Sequence, residues 1–149
     1  MHRILFICHG NICRSPMAEY IMKELVREAG LSDEFEIASA ATHTDELGNP
    51  VYPPARAALR AHGVPCPPRA ARQLCAADRS RYDLLVGMDC QNIADIRRIC
   101  GEKAEEKIYL LMDFTDRAGD IPDPWFTRDF EAAWHDIDKG CRGLLERLR

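Results

Sequence analysis

The sequence predicts an α/β fold: one domain over residues 1–149, built on a doubly wound four-stranded parallel sheet with helices on both faces. Three observations point there. Short apolar runs of strand length recur at 4–7, 35–38, 84–88 and 107–111, and most are rich in β-branched or aromatic residues. Stretches of helical periodicity separate them, and strands alternating with helices call for a parallel sheet covered on both sides. The 149 residues contain no internal repeat, low-complexity tract or linker, so one core is expected.

The first strand runs into Cys8-His9-Gly10-Asn11-Ile12-Cys13-Arg14-Ser15-Pro16. Ser15 is a candidate N-cap and Pro16 a first helical residue, where a missing N–H costs nothing. Residues 8–15 then form a loop between a strand's carboxyl end and a helix N-terminus. Gly10 and Asn11 are the types that tolerate left-handed backbone there. The helix sets Ala18, Ile21, Leu25 and Ala29 on one stripe, widened by Met22 and Val26, and stops at Gly30. After the second strand, Ser39-Ala40-Ala41-Thr42 is expected to leave the sheet for a long loop reaching Pro53. Residues 54–62 read as a helix ended by Gly63, and Pro65-Cys66-Pro67-Pro68 as a turn. A helix over 91–100, ended by Gly101, follows the third strand. Beyond the fourth strand lies Asp120-Ile121-Pro122-Asp123-Pro124-Trp125-Phe126. Thr127 is expected to cap a last helix whose Phe130, Trp134, Ile137, Cys141, Leu144 and Leu148 face the core.

Composition narrows the function classes. With 46% apolar and 30% charged residues the chain is an ordinary globular sequence. A net charge of −4 with scattered Lys and Arg argues against a nucleic-acid partner. No run reaches the ~20 apolar residues of a membrane span, and no signal-peptide pattern opens the chain, so a cytoplasmic protein without a membrane partner is expected. A monomer is expected. The seven cysteines, at 8, 13, 66, 75, 90, 100 and 141, are odd in number and irregular in spacing, unlike a disulfide framework or a zinc motif. The histidines at 2, 9, 43, 62 and 135 show no ligand spacing with one another or with carboxylates on one helix face, so neither metal nor other cofactor is expected.

The chemistry concentrates in the 8–15 loop. Its N–H groups can converge into an anion-binding nest reinforced by the helix dipole. His9, Gly10, Asn11, Ile12, Cys13, Arg14 and Ser15 are therefore candidate phosphate-binding residues. Cys8 would sit at the floor among N–H donors and the Arg14 guanidinium, surroundings that favour a thiolate. Arg14 offers a planar fork to two phosphate oxygens. A thiolate facing a bound phosphate is a nucleophile aimed at phosphorus. The leaving oxygen then needs a proton donor, worth ~100- to 10,000-fold. Asp123, restrained by Pro124, and Asp120 are the candidates. His43 and Tyr52 are either cleft-wall residues or ordinary loop residues, and Trp125 can stack on a phenyl ring at the rim.

Residues 4–19, ILFICHGNICRSPMAE, resemble the signature of the low-molecular-weight protein tyrosine phosphatases, and the resemblance covers nearly the whole chain. It implies a flavodoxin-like sheet and a cysteine-dependent phosphomonoester hydrolase. The reaction would proceed through a cysteinyl-phosphate, on a phosphotyrosine-containing protein or a small aryl phosphate. It favours Asp123, of an Asp-Pro-aromatic step, over Asp120 as the acid, and makes Asp89 an acceptor supporting the loop. Ser15 is expected to hydrogen-bond Cys8 and Asn11 to pin the loop. Family members often pair the positions of Cys8 and Cys13, so Cys13 is expected to trap an oxidised Cys8. The chain departs from the family at His9, at Ala41 (where a turn glycine is usual) and at Trp125-Phe126, which replace tyrosines and remove their hydroxyls as phosphorylation sites. One rival is a thiol-dependent arsenate reductase on the same fold, which needs relay cysteines. Here Cys75 and Cys90 are fifteen apart, and with Cys66 and Cys100 they read as dispersed small hydrophobes. A non-enzymatic phosphotyrosine-binding module is the other rival, and it would not need both Cys8 and Asp123.

Overall fold

The computed structural model describes residues 1–149. β1 (His2–Cys8) is central, and its Ile4, Leu5, Phe6 and Ile7 are all inaccessible to solvent. Side chains alternate across a strand, so Ile4 and Phe6 face one side and Leu5 and Ile7 the other. β2 (Phe35–Ala41) and β3 (Leu84–Gly87) flank β1, and β4 (Ile108–Leu110) lies at the edge beyond β3, giving a parallel sheet of order β2-β1-β3-β4. This is the expected doubly wound arrangement. The neighbours of β1 reverse direction in sequence between β2 and β3, and such a switch point leaves a crevice at the carboxyl ends of the strands.

Three helices cover the Ile4–Phe6 face: α1 (Arg14–Glu28), α2 (Pro53–Ala61) and α6 (Phe130–Leu148). Met17, Ile21 and Met22 of α1 pack there with Leu59, Ile137, Cys141 and Leu144. Fully burying such side chains stabilises the fold by ~1.5–3 kcal/mol each. The other face is smaller: Leu5 and Ile7 meet Leu74, Tyr82, and Ile96 and Cys100 of α4 (Cys90–Cys100). A Cβ at Gly143 in α6 would run into the Phe114 carbonyl, so the helix crosses the turn after β4 at a distance only glycine permits. No helix is long and apolar enough to cross a membrane.

Several boundaries differ from those expected. β2 does not leave the sheet at Ser39: Ala38 to Ala41 pair with Leu5 to Cys8, and Ala41 further bonds Arg72 and Leu74 through its N–H and carbonyl. The turn at Ala41 that a glycine would serve is absent, because the residue is an extended strand position. α1 begins at Arg14 rather than Pro16, and Ser15 does not cap it, since its hydroxyl is engaged inside the loop. Asp129, not Thr127, caps α6 by accepting from the Ala132 N–H at 2.9 Å. Thr127 instead ends a four-residue helix, α5 (Pro124–Thr127), and accepts from the Asp129 N–H. The short helix Asp78–Arg81 (α3) and the 3-10 turns Ser32–Glu34, Glu102–Lys107 and Leu111–Phe114 had no clear periodicity to announce them.

Candidate active site

At the carboxyl end of β1 the 8–12 backbone curls with four of its carbonyls outward. The Cys8 carbonyl accepts from the Thr42 N–H at 3.0 Å, His9 from the His43 N–H at 3.0 Å and Ile12 from the Tyr52 N–H at 2.8 Å. The Asn11 carbonyl takes the Arg69 guanidinium at 2.7 Å. With these oxygens committed outward, the N–H groups of His9 to Cys13 have no protein acceptor. They are the donors of an anion nest beside the α1 N-terminus. Asn11 takes the left-handed conformation, φ 57°, which asparagine tolerates well. Gly10 does not; a Cβ there would stand 3.3 Å from Glu46 Cγ, so the Glu46 side chain would have to give by a few tenths of an ångström.

Asn11 is fully buried and ties the loop together. Its Oδ1 accepts from Arg69 Nη2 at 2.5 Å and from the Arg72 N–H at 3.2 Å, which fixes the amide orientation. Its Nδ2 then donates to Ser15 Oγ at 2.7 Å. That leaves the Ser15 hydroxyl proton directed at Cys8 Sγ, 3.0 Å away, while the Ser15 N–H points to the same sulfur at 3.4 Å. Two donors therefore converge on Cys8, at the floor of a cleft of about 230 Å³.

Arg14 is buried behind the nest. Its Nη1 donates to Asp89 Oδ2 at 2.7 Å and to the Ile121 carbonyl at 2.9 Å, and its Nη2 reaches Asp123 Oδ2 at 3.4 Å. Burial works against this charge, but Cys8, Asp123 and Asp89 more than offset it and hold the guanidinium pKa above its ordinary value. Asp89 has two tasks. Oδ2 anchors Arg14, while Oδ1 caps α4 through the Asn92 N–H at 2.8 Å. Asp123 caps α5 by accepting from the Trp125 N–H at 3.0 Å and lines the cleft. Asp120 lies elsewhere, accepting from the Cys90 N–H at 2.9 Å.

The structure thus brings Cys8, His9, Gly10, Ile12, Cys13, Arg14, Asp123 and Trp125 around one cleft. Asn11 and Ser15 hold it from behind. His43 and Tyr52 stand back from it. His43 stacks under the His9 ring, centroids 3.9 Å apart, and Tyr52 packs beneath Trp125 at 4.8 Å. The wall that sequence reasoning missed is acidic: Asp45 and Glu46 line the same cleft as Asp123, and Asp45 Oδ2 lies 3.0 Å from His9 Nε2. That bond holds the Asp45 carboxyl below its usual range. The exposed Phe126 completes the mouth with Trp125. Arg69 was also missed. Burial pushes the Cys13 thiol up to about 12, aided by Cys8 and Asp123 nearby.

The histidine reading needs correction away from this cleft. Glu131 and His135 do share a face of α6 at i, i+4, and His62 from the end of α2 joins them.

Comparison with known proteins identifies the family. The family described as low molecular weight phosphotyrosine protein phosphatase matches residues 3–149. The low molecular weight protein-tyrosine-phosphatase YfkJ of Bacillus subtilis is 35% identical, covering 100% of this chain and 97% of that protein. The human low molecular weight phosphotyrosine protein phosphatase is 34% identical over 97% of this chain and 94% of its own length. The crystal structure of YfkJ superposes with a TM-score of 0.96, covering 99% of this chain and 94% of the other.

Proposed function

The chain belongs to the low molecular weight phosphotyrosine protein phosphatases, and from that premise we propose that Cys8, Arg14 and Asp123 carry a two-step hydrolysis of phosphotyrosine. The whole 149-residue chain acts as one catalytic domain. One observation supports the reading above all: unpaired loop N–H groups, two donors on Cys8 and the Arg14 fork share a cleft with a carboxyl.

A phosphotyrosine enters with its phosphoryl group in the nest. The N–H groups of His9 to Cys13 and the Arg14 guanidinium hold the equatorial oxygens, positioning and charge supplying most of the rate. Arg14 can do this because Asp89 and Ile121 fix Nη1 and leave Nε without a protein acceptor. The Cys8 sulfur attacks phosphorus, the P–O bond breaks, and Asp123 gives its proton to the departing phenolate oxygen. Ionised Asp123 then takes a proton from water as that water attacks the cysteinyl-phosphate. Inorganic phosphate leaves, and Cys8 returns as a thiolate received by the Ser15 hydroxyl and N–H. Trp125 and Phe126 flank the tyrosine ring.

The arsenate-reductase reading gains nothing, since Cys66, Cys75, Cys90 and Cys100 all lie outside the cleft. The seven free cysteines fit a reducing, cytoplasmic setting and the net charge of −4 argues against a nucleic-acid partner; in this reading the chain acts as a monomer on phosphotyrosine-containing proteins or small aryl phosphates, without a membrane partner. The test compares wild type with Cys8→Ser on phosphotyrosine and phosphoserine peptides in chelator. Wild type should release phosphate from phosphotyrosine alone, and Cys8→Ser should release none while still binding vanadate. Turnover by Cys8→Ser within tenfold of wild type would refute the covalent route.

A further inference from the structure

Outside the cleft, the ends of two helices bring together side chains that no step above uses. His62 is the residue after α2, and Glu131 and His135 stand one turn apart at the start of α6. His62 Nε2 lies 2.5 Å from Glu131 Oε1, and His135 Nε2 lies 3.3 Å from the same oxygen. One ligand atom from each residue falls within a triangle of 4.8 Å. We propose that these three residues form a binding site for a divalent borderline metal ion, with Zn²⁺ the best fit, that ties α2 to α6.

The donor set carries the choice of metal. Two imidazole nitrogens and one carboxylate oxygen suit Zn²⁺, Cu²⁺ or Ni²⁺, whereas Mg²⁺ and Ca²⁺ take oxygen ligands. Three protein ligands leave tetrahedral Zn²⁺ one position for water. The zinc must sit ~2.0–2.1 Å from each nitrogen, which needs only small rotations, because Glu131 and His135 are more than half exposed. His62 is the oriented member. It stacks on the Trp134 indole with ring centroids 3.5 Å apart and planes 10° apart, and meets His135 edge-on at 5.6 Å. A metal-bound imidazole is electron-poor, and an indole face attracts positive charge.

The location gives the site a consequence. Arg128 is the only residue between α5 and the Asp129 cap of α6. A metal on Glu131 therefore fastens the first turn of α6 to the end of α2, close behind the segment that carries Asp123.

The experiment titrates Zn²⁺ into the reduced full-length protein by calorimetry and follows thermal unfolding with and without the ion. Wild type should bind one equivalent at this site and melt higher with zinc. X-ray absorption should show nitrogen and oxygen at ~2.0–2.1 Å, with no sulfur at ~2.3 Å. Supporting groups around a metal site are worth ~10- to 100-fold in affinity, so loss of a ligand through His135→Ala or Glu131→Gln should weaken binding at least about 100-fold. Both positions are exposed, so each variant should melt like wild type without metal. Unchanged affinity in both variants, or a tightly bound zinc ligated by sulfur, would overturn the proposal and leave the cluster as hydrogen-bonded surface residues.

Discussion

Asn11→Ala tests whether the loop is held in shape from behind. The substitution removes a charge-assisted bond from Arg69 at 2.5 Å, a backbone bond from Arg72 at 3.2 Å and the donor to Ser15 Oγ at 2.7 Å. A bond to a charged group contributes ~1.5–3 kcal/mol and a neutral one ~0.5–1.5 kcal/mol. Alanine is also less at ease than asparagine at φ 57°. The sum is a loss of about 2.5–6 kcal/mol of folding stability. The catalytic loss has a separate origin. Without the amide, the Ser15 hydroxyl is no longer directed at Cys8 and the nest can drift, and a ~1 Å misplacement costs ~100-fold in rate. Urea unfolding and kcat on a phosphotyrosine peptide measure the two effects. A double-mutant cycle with Arg69→Ala isolates the Arg69–Asn11 coupling, expected at ~1.5–3 kcal/mol. If Asn11→Ala keeps kcat within twofold and loses less than about 1 kcal/mol, the bonds described here do not hold the loop.

Two further outcomes follow from the cleft. Asp123→Asn should cost most with phenyl phosphate and least with nitrophenyl phosphate, because a good leaving group needs little protonation. Asp120→Asn should chiefly weaken its contact with the Cys90 N–H, and a larger kinetic loss there than at Asp123 would move the acid. Cys13→Ser should remain active when reduced yet recover poorly with dithiothreitol after peroxide, while wild type recovers through a Cys8–Cys13 disulfide. Because burial pushes the Cys13 thiol up to about 12, its reactive thiolate is scarce at neutral pH. Trapping should accelerate as pH rises toward that value, measured as the rate of disulfide appearance by mass spectrometry. A flat pH profile, or equal recovery of both proteins, would count against the trap.

The core of the site was legible because it is nearly continuous in sequence: Cys8 to Ser15 carry the nest, nucleophile and guanidinium within one turn of chain. Its supports were not. Arg69 lies 58 residues from Asn11, and nothing about an arginine in a polar stretch reveals a buried carbonyl waiting for it. Asp45 and Glu46 looked like loop acids, because nothing in the sequence links them to Gly10, beside which Glu46 lies in the structure. Ser15 has good capping chemistry, but a sulfur and an amide compete for its hydroxyl. Thr127 and Asp129 can both cap, and Arg128 between them, at φ 61°, turns the chain so that Asp129 does. The strand at Ser39-Ala40-Ala41 has weak intrinsic preference, and pairing with β1 decides it.

The outward carbonyls of the 8–12 segment have a consequence for when the site exists at all. Their donors are Thr42, His43, Tyr52 and Arg69, spread over a stretch of chain that begins just after β2 and includes all of α2. A fragment holding only β1 and α1 lacks every one of these donors, so the nest depends on distant parts of the chain docking against it. Phosphate affinity and global folding are then two readings of one equilibrium. At a hundred times its dissociation constant, bound phosphate would hold the native state by ~2.7 kcal/mol, and the slowest-exchanging amides in this protein should include those of the loop itself once an anion fills it.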